Sequence, residues 1–163
     1  MSHAAERVIA GEVVVAAPIE QVWEAWTTSA GAESFFAPRA RVEARPGGRY
    51  EMLFLLDAPP GGQGSEGMIV LAVQAPRLLA FTWNAPPHLP QARGQMTHVV
   101  IRLAPAGDGA TRVTLRHDGW GEGGEWDAAF AYFERAWNRT VLPRLRHRFA
   151  VGPVDWADPP VWS

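Results

Sequence analysis

The sequence predicts an α+β fold in which a curved antiparallel sheet of six to seven strands wraps one long C-terminal helix, with two short helices after the first strand. Three observations predict it. First, residues 124–150 read GEWDAAFAYFERAWNRTVLPRLRHRFA, and Trp126, Phe130, Phe133, Trp137, Val141, Leu145 and Phe149 recur there at steps of three or four. That spacing stacks them on one side of an α-helix, leaving Asp127, Glu134, Arg135, Asn138, Arg139, Arg146 and Arg148 on the other. Second, the chain upstream is a series of short β-branched or alternating segments parted by Pro- and Gly-rich turns. Third, an antiparallel meander of such strands is stable when one face packs on helices, and the aromatic stripe is a face in need of a partner.

Taken in order, Val8 to Val15 is rich in β-branched residues and reads as the first strand. Ala17-Pro18 opens a helix, since proline is tolerated at the first helical position, and Ile19, Val22, Trp23 and Trp26 mark its buried face. Ser29 reads as the cap of a second short helix carrying Phe35 and Phe36, closed by Pro38. Arg39 to Arg45 alternates arginine with smaller residues, as an edge strand does. After the Pro46-Gly47-Gly48 turn, Arg49 to Leu56 alternates, with Tyr50, Met52, Phe54 and Leu56 on one face. Asp57 to Ser65 is a loop, Glu66 to Gln74 a strand, Ala75-Pro76-Arg77 a turn, and Leu78 to Asn84 a strand. Ala85 to Gly94 is a second Pro-rich loop. Gln95 to Leu103 and Thr111 to His117 form a hairpin. Parity puts Thr97, Val99, Ile101, Leu103, Val113, Leu115 and His117 inside, and His98 outside. In the long helix, Pro143 removes a backbone donor and predicts a kink. The tail from Val151 to Ser163, with Trp156 and Trp162, is a strap over the body or an oligomer contact. The whole is expected to be one domain over 1–163, with its core in 8–150.

Composition narrows the function classes. At 163 residues the chain can bury a full core without staples. A net charge of −2 gives no electrostatic reason to bind nucleic acid or an anionic membrane. No apolar run is long enough to span a bilayer, and the first residues lack the pattern of a signal peptide, so a cytoplasmic location is expected. The absence of Cys excludes thiol nucleophiles and Cys-zinc sites. All 15 basic residues are Arg, which excludes a Schiff-base lysine and a Walker A loop. Eight Trp is a high number, and tryptophan lines ligand clefts as well as cores.

The run Ala17-Pro18-Ile19-Glu20-Gln21-Val22-Trp23-Glu24-Ala25-Trp26-Thr27 resembles the opening of the START-like, or Bet v 1-like, superfamily. Pro46-Gly47-Gly48-Arg49-Tyr50, Pro76-Arg77-Leu78-Leu79-Ala80-Phe81-Thr82-Trp83 and Thr111-Arg112-Val113-Thr114-Leu115-Arg116-His117-Asp118-Gly119-Trp120 resemble, in that order, successive motifs of one branch. That branch holds the domain related to the C-terminal part of the activator of Hsp90 ATPase, and the calicheamicin-resistance-type proteins. The likeness spans residues 8–150. It implies a helix-grip fold with a hydrophobic cavity between sheet and last helix, but no chemistry, because this fold hosts carriers, receptors, cyclases and co-chaperone domains.

The candidate cavity lining is Trp26, Phe36, Tyr50, Met52, Phe54, Met68, Trp83, His117, Trp120, Phe130, Phe133 and Trp137. Filling of the core is the competing reading for all of them. His117 is the polar residue of most interest, able to orient a ligand, to transfer a proton, or simply to bond a local partner. No metal site is expected: His98 and His117 fall on opposite faces, His147 sits between arginines, and His3 and His88 lie in a terminus and a loop. No cofactor motif is present. The expected function is binding of a small apolar or amphipathic molecule, with Arg49, His117 or Tyr50 as its polar contact. The alternatives are a co-chaperone-like interaction module, self-association through the tail, and a hydrolase or cyclase using His117, Tyr50, Glu66 or Asp118.

Overall fold

The computed structural model describes residues 6–162, and His3 lies outside them. Seven strands are present: β1 (Ile9–Val15), β2 (Arg39–Val42), β3 (Tyr50–Leu53), β4 (Val70–Gln74), β5 (Leu78–Trp83), β6 (Thr97–Pro105) and β7 (Thr111–Asp118). Five form an antiparallel sheet in the order β1-β7-β6-β5-β4, and β2 pairs with β3. The bridge Arg49–Ile69 ties the pair to the residues leading into β4, helped by the Tyr50 N–H donating to the Met68 carbonyl at 2.9 Å, and the bridge Leu53–Gly64 ties it to the preceding loop. The sheet bends where the β4–β5 register shifts between Val70 and Ala72, as an extra residue in one strand requires.

Alternation drives burial as parity predicts. Thr97, Val99, Ile101 and Leu103 of β6, and Val113, Leu115 and His117 of β7, are all buried, while His98 is exposed. Helices α1 (Ile19–Thr27) and α2 (Ser29–Glu33) follow β1. The cap of α2 is Thr28, not Ser29: its Oγ1 accepts from the Gly31 N–H at 2.9 Å. Ser29 Oγ instead accepts from the Val42 N–H at 2.9 Å, tying the helix to β2. Three strands are shorter than the sequence suggests. β2 ends at Val42 rather than Arg45. β3 stops at Leu53 because the N–H groups of Phe54 and Leu55 both turn onto the Gln63 carbonyl, at 2.8 and 2.9 Å. Phe54, Leu55 and Leu56 are thereby left 40%, 54% and 42% exposed. β4 begins at Val70 rather than Glu66, because the Glu66 carboxylate is drawn into the preceding loop by the N–H groups of Gly61, Gln63 and Gly64. The loop expected over Ala85–Gly94 contains a single helical turn, α3 (Pro90–Arg93), with proline at its start.

The C-terminal rod has three parts: α4 (Glu125–Ala136), a π-helical turn (Trp137–Val141) and α5 (Leu142–Ala150). A proline kink is what the sequence predicts. The structure opens one wide turn before Pro143. The ring would clash with the carbonyl four residues back, and a turn closed by the Leu142 N–H on the Trp137 carbonyl gives it room. The rod crosses β1 at Gly11, where a Cβ would meet Asn138 Oδ1 at 2.7 Å and Leu142 Cδ1 at 2.8 Å. A side chain there would force Asn138 and Leu142 out of their positions against β1. Beyond α5 the tail folds back as a strap. The Val154 N–H donates to Ser34 O at 2.9 Å, Trp156 Nε1 to Glu33 O at 2.6 Å, and Arg144 Nε to Pro160 O at 3.2 Å.

Trp137 is the docking point of the rod. It is 1% exposed and meets Phe36 and Trp83 at ring separations of 5.6 and 5.7 Å. Its Nε1–H donates to His117 Nδ1 at 3.0 Å, so that nitrogen is bare and the ring proton sits on Nε2. His117 Nε2 therefore donates to Thr97 Oγ1, 2.6 Å away, and the Thr97 hydroxyl in turn donates a hydrogen bond to Trp83 O at 3.3 Å. One chain of hydrogen bonds thus runs from the rod through β7 and β6 to β5. Burial lowers the His117 pKa to about 3, with the His98 charge adding to the effect.

Two predictions follow from the docking. Trp137→Ala removes a buried indole and is expected to cost about 3–5 kcal/mol in urea or guanidinium unfolding, whereas an undocked rod would leave the midpoint unchanged. The second concerns pH. Folded His117 refuses a proton down to about pH 3, while the unfolded imidazole accepts one below about 6.5. Its contribution to stability is thus complete above pH 6.5 and is lost as pH falls toward 3, by about 1.4 kcal/mol per pH unit. His117→Gln can accept from Trp137 and donate to Thr97 but cannot titrate. Denaturant melts at pH 7, 6 and 5 are expected to show a shallower loss for the variant, and parallel slopes would contradict the assignment.

Candidate ligand-binding cleft

The middle of the grip is solid. Trp26 packs edge-on against Phe35 and Phe36 at 4.9 and 5.6 Å, and Phe36 continues to Trp83 at 5.6 Å. To one side of this cluster the rod and sheet diverge and leave a cleft of about 580 Å³, within the range of small-molecule sites. Its floor is Phe36, Trp83, Phe133 and Trp137. Its lips are Phe54 and Leu55 on one side and Tyr132 on the other. The exposure of Phe54 and Leu55 follows from the early end of β3, so the local turn that shortens the strand also builds the lip.

The twelve candidate lining residues part into three groups. Phe36, Phe54, Trp83, Phe133 and Trp137 line the cleft. Trp26, Tyr50, Met52 and Met68 lie behind its wall, in the core. Tyr50 stacks on Phe81 at 4.1 Å, its hydroxyl donates to Trp26 O at 2.9 Å, and burial pushes its pKa well above the ordinary value. Met68 sulfur accepts from the Thr82 hydroxyl at 3.4 Å. The remaining three lie outside the lining, His117 behind Trp137 and Phe133, and Trp120 and Phe130 toward the start of α4. There Trp120 covers the imidazole at 4.2 Å and donates to His117 O at 3.0 Å, and Arg7 lies 5.2 Å over Phe130. Strand parity correctly turned His117 inward, but parity carries no information on which end of the interior is open.

Sequence reasoning missed the contribution of the Ala85–His88 loop and of the polar side of the rod. Arg135, Ala136, Arg139, Thr140 and Arg144 all line the cleft. The sequence reading puts Arg135 and Arg139 on the side away from the stripe. They stand instead at the edge of the apolar face, beside Ala136 and Thr140 in the cleft lining. Two proline residues, Pro86 and Pro87, immediately after a buried strand end were the available signal for the loop.

One knot holds the lip side. Arg93 donates to Ala85 O and Gly61 O, each at 2.6 Å, and to Gly64 O at 2.8 Å, with Glu66 3.5 Å away. Burial pushes the Glu66 carboxyl up, but the N–H groups of Gly64, Gln63 and Gly61 outweigh it and hold its pKa below the ordinary value. Of the four candidate acid–base groups, His117, Tyr50 and Glu66 are each committed to separate partners, and Asp118 lies beside His98 at 3.4 Å on the outer face. Arg49 is placed on the surface, 3.8 Å from Glu43. Among the described residues no three His, Cys, Asp or Glu side chains are placed to hold a metal ion, and no helix is long and apolar enough to cross a membrane.

Comparison with known proteins agrees with this architecture. The Aha1 dimer from Colwellia psychrerythraea is similar with a TM-score of 0.65 at 17% identity, over 90% of this chain and 98% of that one. A protein of Bacillus halodurans is similar with a TM-score of 0.62 at 27% identity, over 88% and 96%. An HSP90 activator from Plasmodium falciparum is similar with a TM-score of 0.61 at 12% identity, over 89% and 97%. No curated protein matches the sequence. Residues 16–150 match the family described as Activator of Hsp90 ATPase homolog 1-like protein, and the chain belongs to that family.

Proposed function

We propose that this protein binds a small apolar or amphipathic molecule in the cleft between the end of β5 and the rod. The observation that supports this most is the cleft itself: about 580 Å³ floored by four aromatic side chains, in a protein whose middle is otherwise filled. Affinity would come from desolvation, roughly 25 cal/mol per Å² of apolar surface covered, less the entropy of association. The knot of Arg93 and Glu66 holds one lip before any ligand arrives, which lowers the ordering cost of binding.

A second reading rests on the family and on the exposed run Phe54, Leu55 and Leu56. In it the same lip docks on a partner protein, as a co-chaperone-like module would, or on a second copy of the chain, given that one similar structure is a dimer. The two readings part on whether the interior or the rim is needed.

The test uses the uncharged fluorophore N-phenyl-1-naphthylamine. It is expected to brighten on binding and to quench the tryptophan emission to which Trp83 and Trp137 contribute. Ala136→Phe fills the cleft from the rod and is expected to weaken binding at least about tenfold, a loss of about 1.4 kcal/mol, with unchanged circular dichroism. Undiminished binding by that variant would place the site elsewhere. Stimulation of an Hsp90 ATPase that survives Ala136→Phe but not Leu55→Asp would favour the second reading.

A further inference from the structure

We infer that the ligand of this cleft carries an anionic group, so that the molecule bound is an organic anion with an apolar body, held head-outward at the arginine edge of the rod. The inference rests on the cleft reading above and goes beyond it in naming charge. Four arginines line the cleft, Arg93, Arg135, Arg139 and Arg144, and no Asp or Glu does. Their commitments differ. Arg93 spends its guanidinium on three carbonyls and on Glu66, so it is neutralised in place. Arg144 uses Nε on Pro160 O and lies 5.5 Å over Trp156, which leaves its terminal nitrogens. Arg135 and Arg139 are exposed, one turn apart on the rod, and have no hydrogen-bond or ion-pair partner among the described residues. Three positive charges therefore collect at one mouth of a chain whose net charge is −2. The uncommitted forks stand at the edge of a site floored by aromatic side chains and lined further by the neutral polar groups of Gln63, Asn84 and Thr140, where a carboxylate, sulfonate or phosphate would meet donors that water otherwise satisfies.

Apolar floor and cationic edge are on the same cleft, which an uncharged ligand would not use and a small inorganic anion would not fill. A molecule with both parts fits both. The head stays at the solvent edge, where guanidinium and anion keep part of their hydration, and the body takes the space over Phe36, Trp83 and Phe133.

The experiment compares two probes that differ by one sulfonate, N-phenyl-1-naphthylamine and 8-anilinonaphthalene-1-sulfonate, by fluorescence titration of the native protein. The anionic probe is expected to bind about tenfold tighter at low salt, with the preference shrinking as ionic strength rises. In Arg135→Gln/Arg139→Gln the preference is expected to vanish while the neutral probe binds as before. Both substitutions are on exposed positions, so the fold is retained. Equal affinity of the two probes in the unmodified protein would overturn the charge inference and leave the cleft reading standing. Failure of both probes to bind would overturn the cleft reading itself. A preference that survives the double substitution would assign the anion to other residues. Sedimentation with phosphatidylglycerol vesicles that the double substitution abolishes would assign the arginines to a lipid surface, and would equally overturn the inference.

Discussion

The hydrogen bond from the Trp137 indole to the bare Nδ1 of His117 is the constraint on which the rest of the geometry depends. It sets three things together. It fixes the imidazole as the Nε2–H tautomer, because an acceptor is needed at Nδ1. It then directs the second ring nitrogen to Thr97, 2.6 Å away, and so links the rod to β6 as well as β7. Finally it fixes the rotation of the rod about its own axis at the residue where α4 ends. A helix on a curved sheet can roll, since apolar contacts are non-directional. A buried N–H that must find its acceptor cannot. The rotation chosen puts Phe133 and Trp137 over the sheet, and leaves Ala136, Arg139 and Thr140 along the gap.

The π turn is the second half of the same solution. Proline at position 143 and glycine at position 11 make opposite demands on the rod: one widens it, the other lets it come close. Were the helix regular through Pro143, the ring would displace the backbone where Leu142 must reach β1. Widening the turn just before it lets α4 and α5 each keep its own contact, the first through Trp137 on His117 and the second through Leu142 on Gly11. A wide turn also shifts the angular order of the side chains that follow it, so a uniform helical count from α4 does not carry over into α5.

This explains what the sequence disclosed and what it hid. The seven strands, the two helices after β1 and the long final rod were legible because each is written in local periodicity: Val99, Ile101 and Leu103 alternate, and Phe133, Trp137 and Val141 step by four. The inward turn of His117 was legible by the same counting. The early stop of β3 was not, because Phe54 and Leu56 keep the alternation and the cause lies nine residues on, in the carbonyl of Gln63. Nor was the partition of the aromatic residues. Met52 and Phe54 are equivalent to a pattern, yet one is sealed in the core and the other forms a lip. What separates them is tertiary: which end of the sheet the rod leaves uncovered.

The position of the gap then follows from where the polar chain of contacts ends. From Trp137 toward the start of α4, the rod is held down by the His117 chain and by Trp120, which packs tilted on Phe133 at 5.9 Å and edge-on to Phe130 at 5.4 Å. From Trp137 toward α5 the same face is held by Leu142 and Leu145 against β1. Sideways, past Trp83 and toward the Phe54–Ser65 loop, the continuous ladder gives out: the main sheet ends at β4, and β3 joins it only through isolated bridges and a few backbone hydrogen bonds. A loop must close that side, and loops carry backbone groups that need partners. Arg93 supplies them by taking three carbonyls at once, while Glu66 takes the facing N–H groups. A wall made this way is rigid without being packed. It keeps its own polar groups satisfied and does not need side chains from the rod to fill the space in front of it. That is the physical condition for an apolar hollow to persist in a small protein whose aromatic residues are otherwise close-packed: the surrounding groups are held by hydrogen bonds that collapse of the cleft would break.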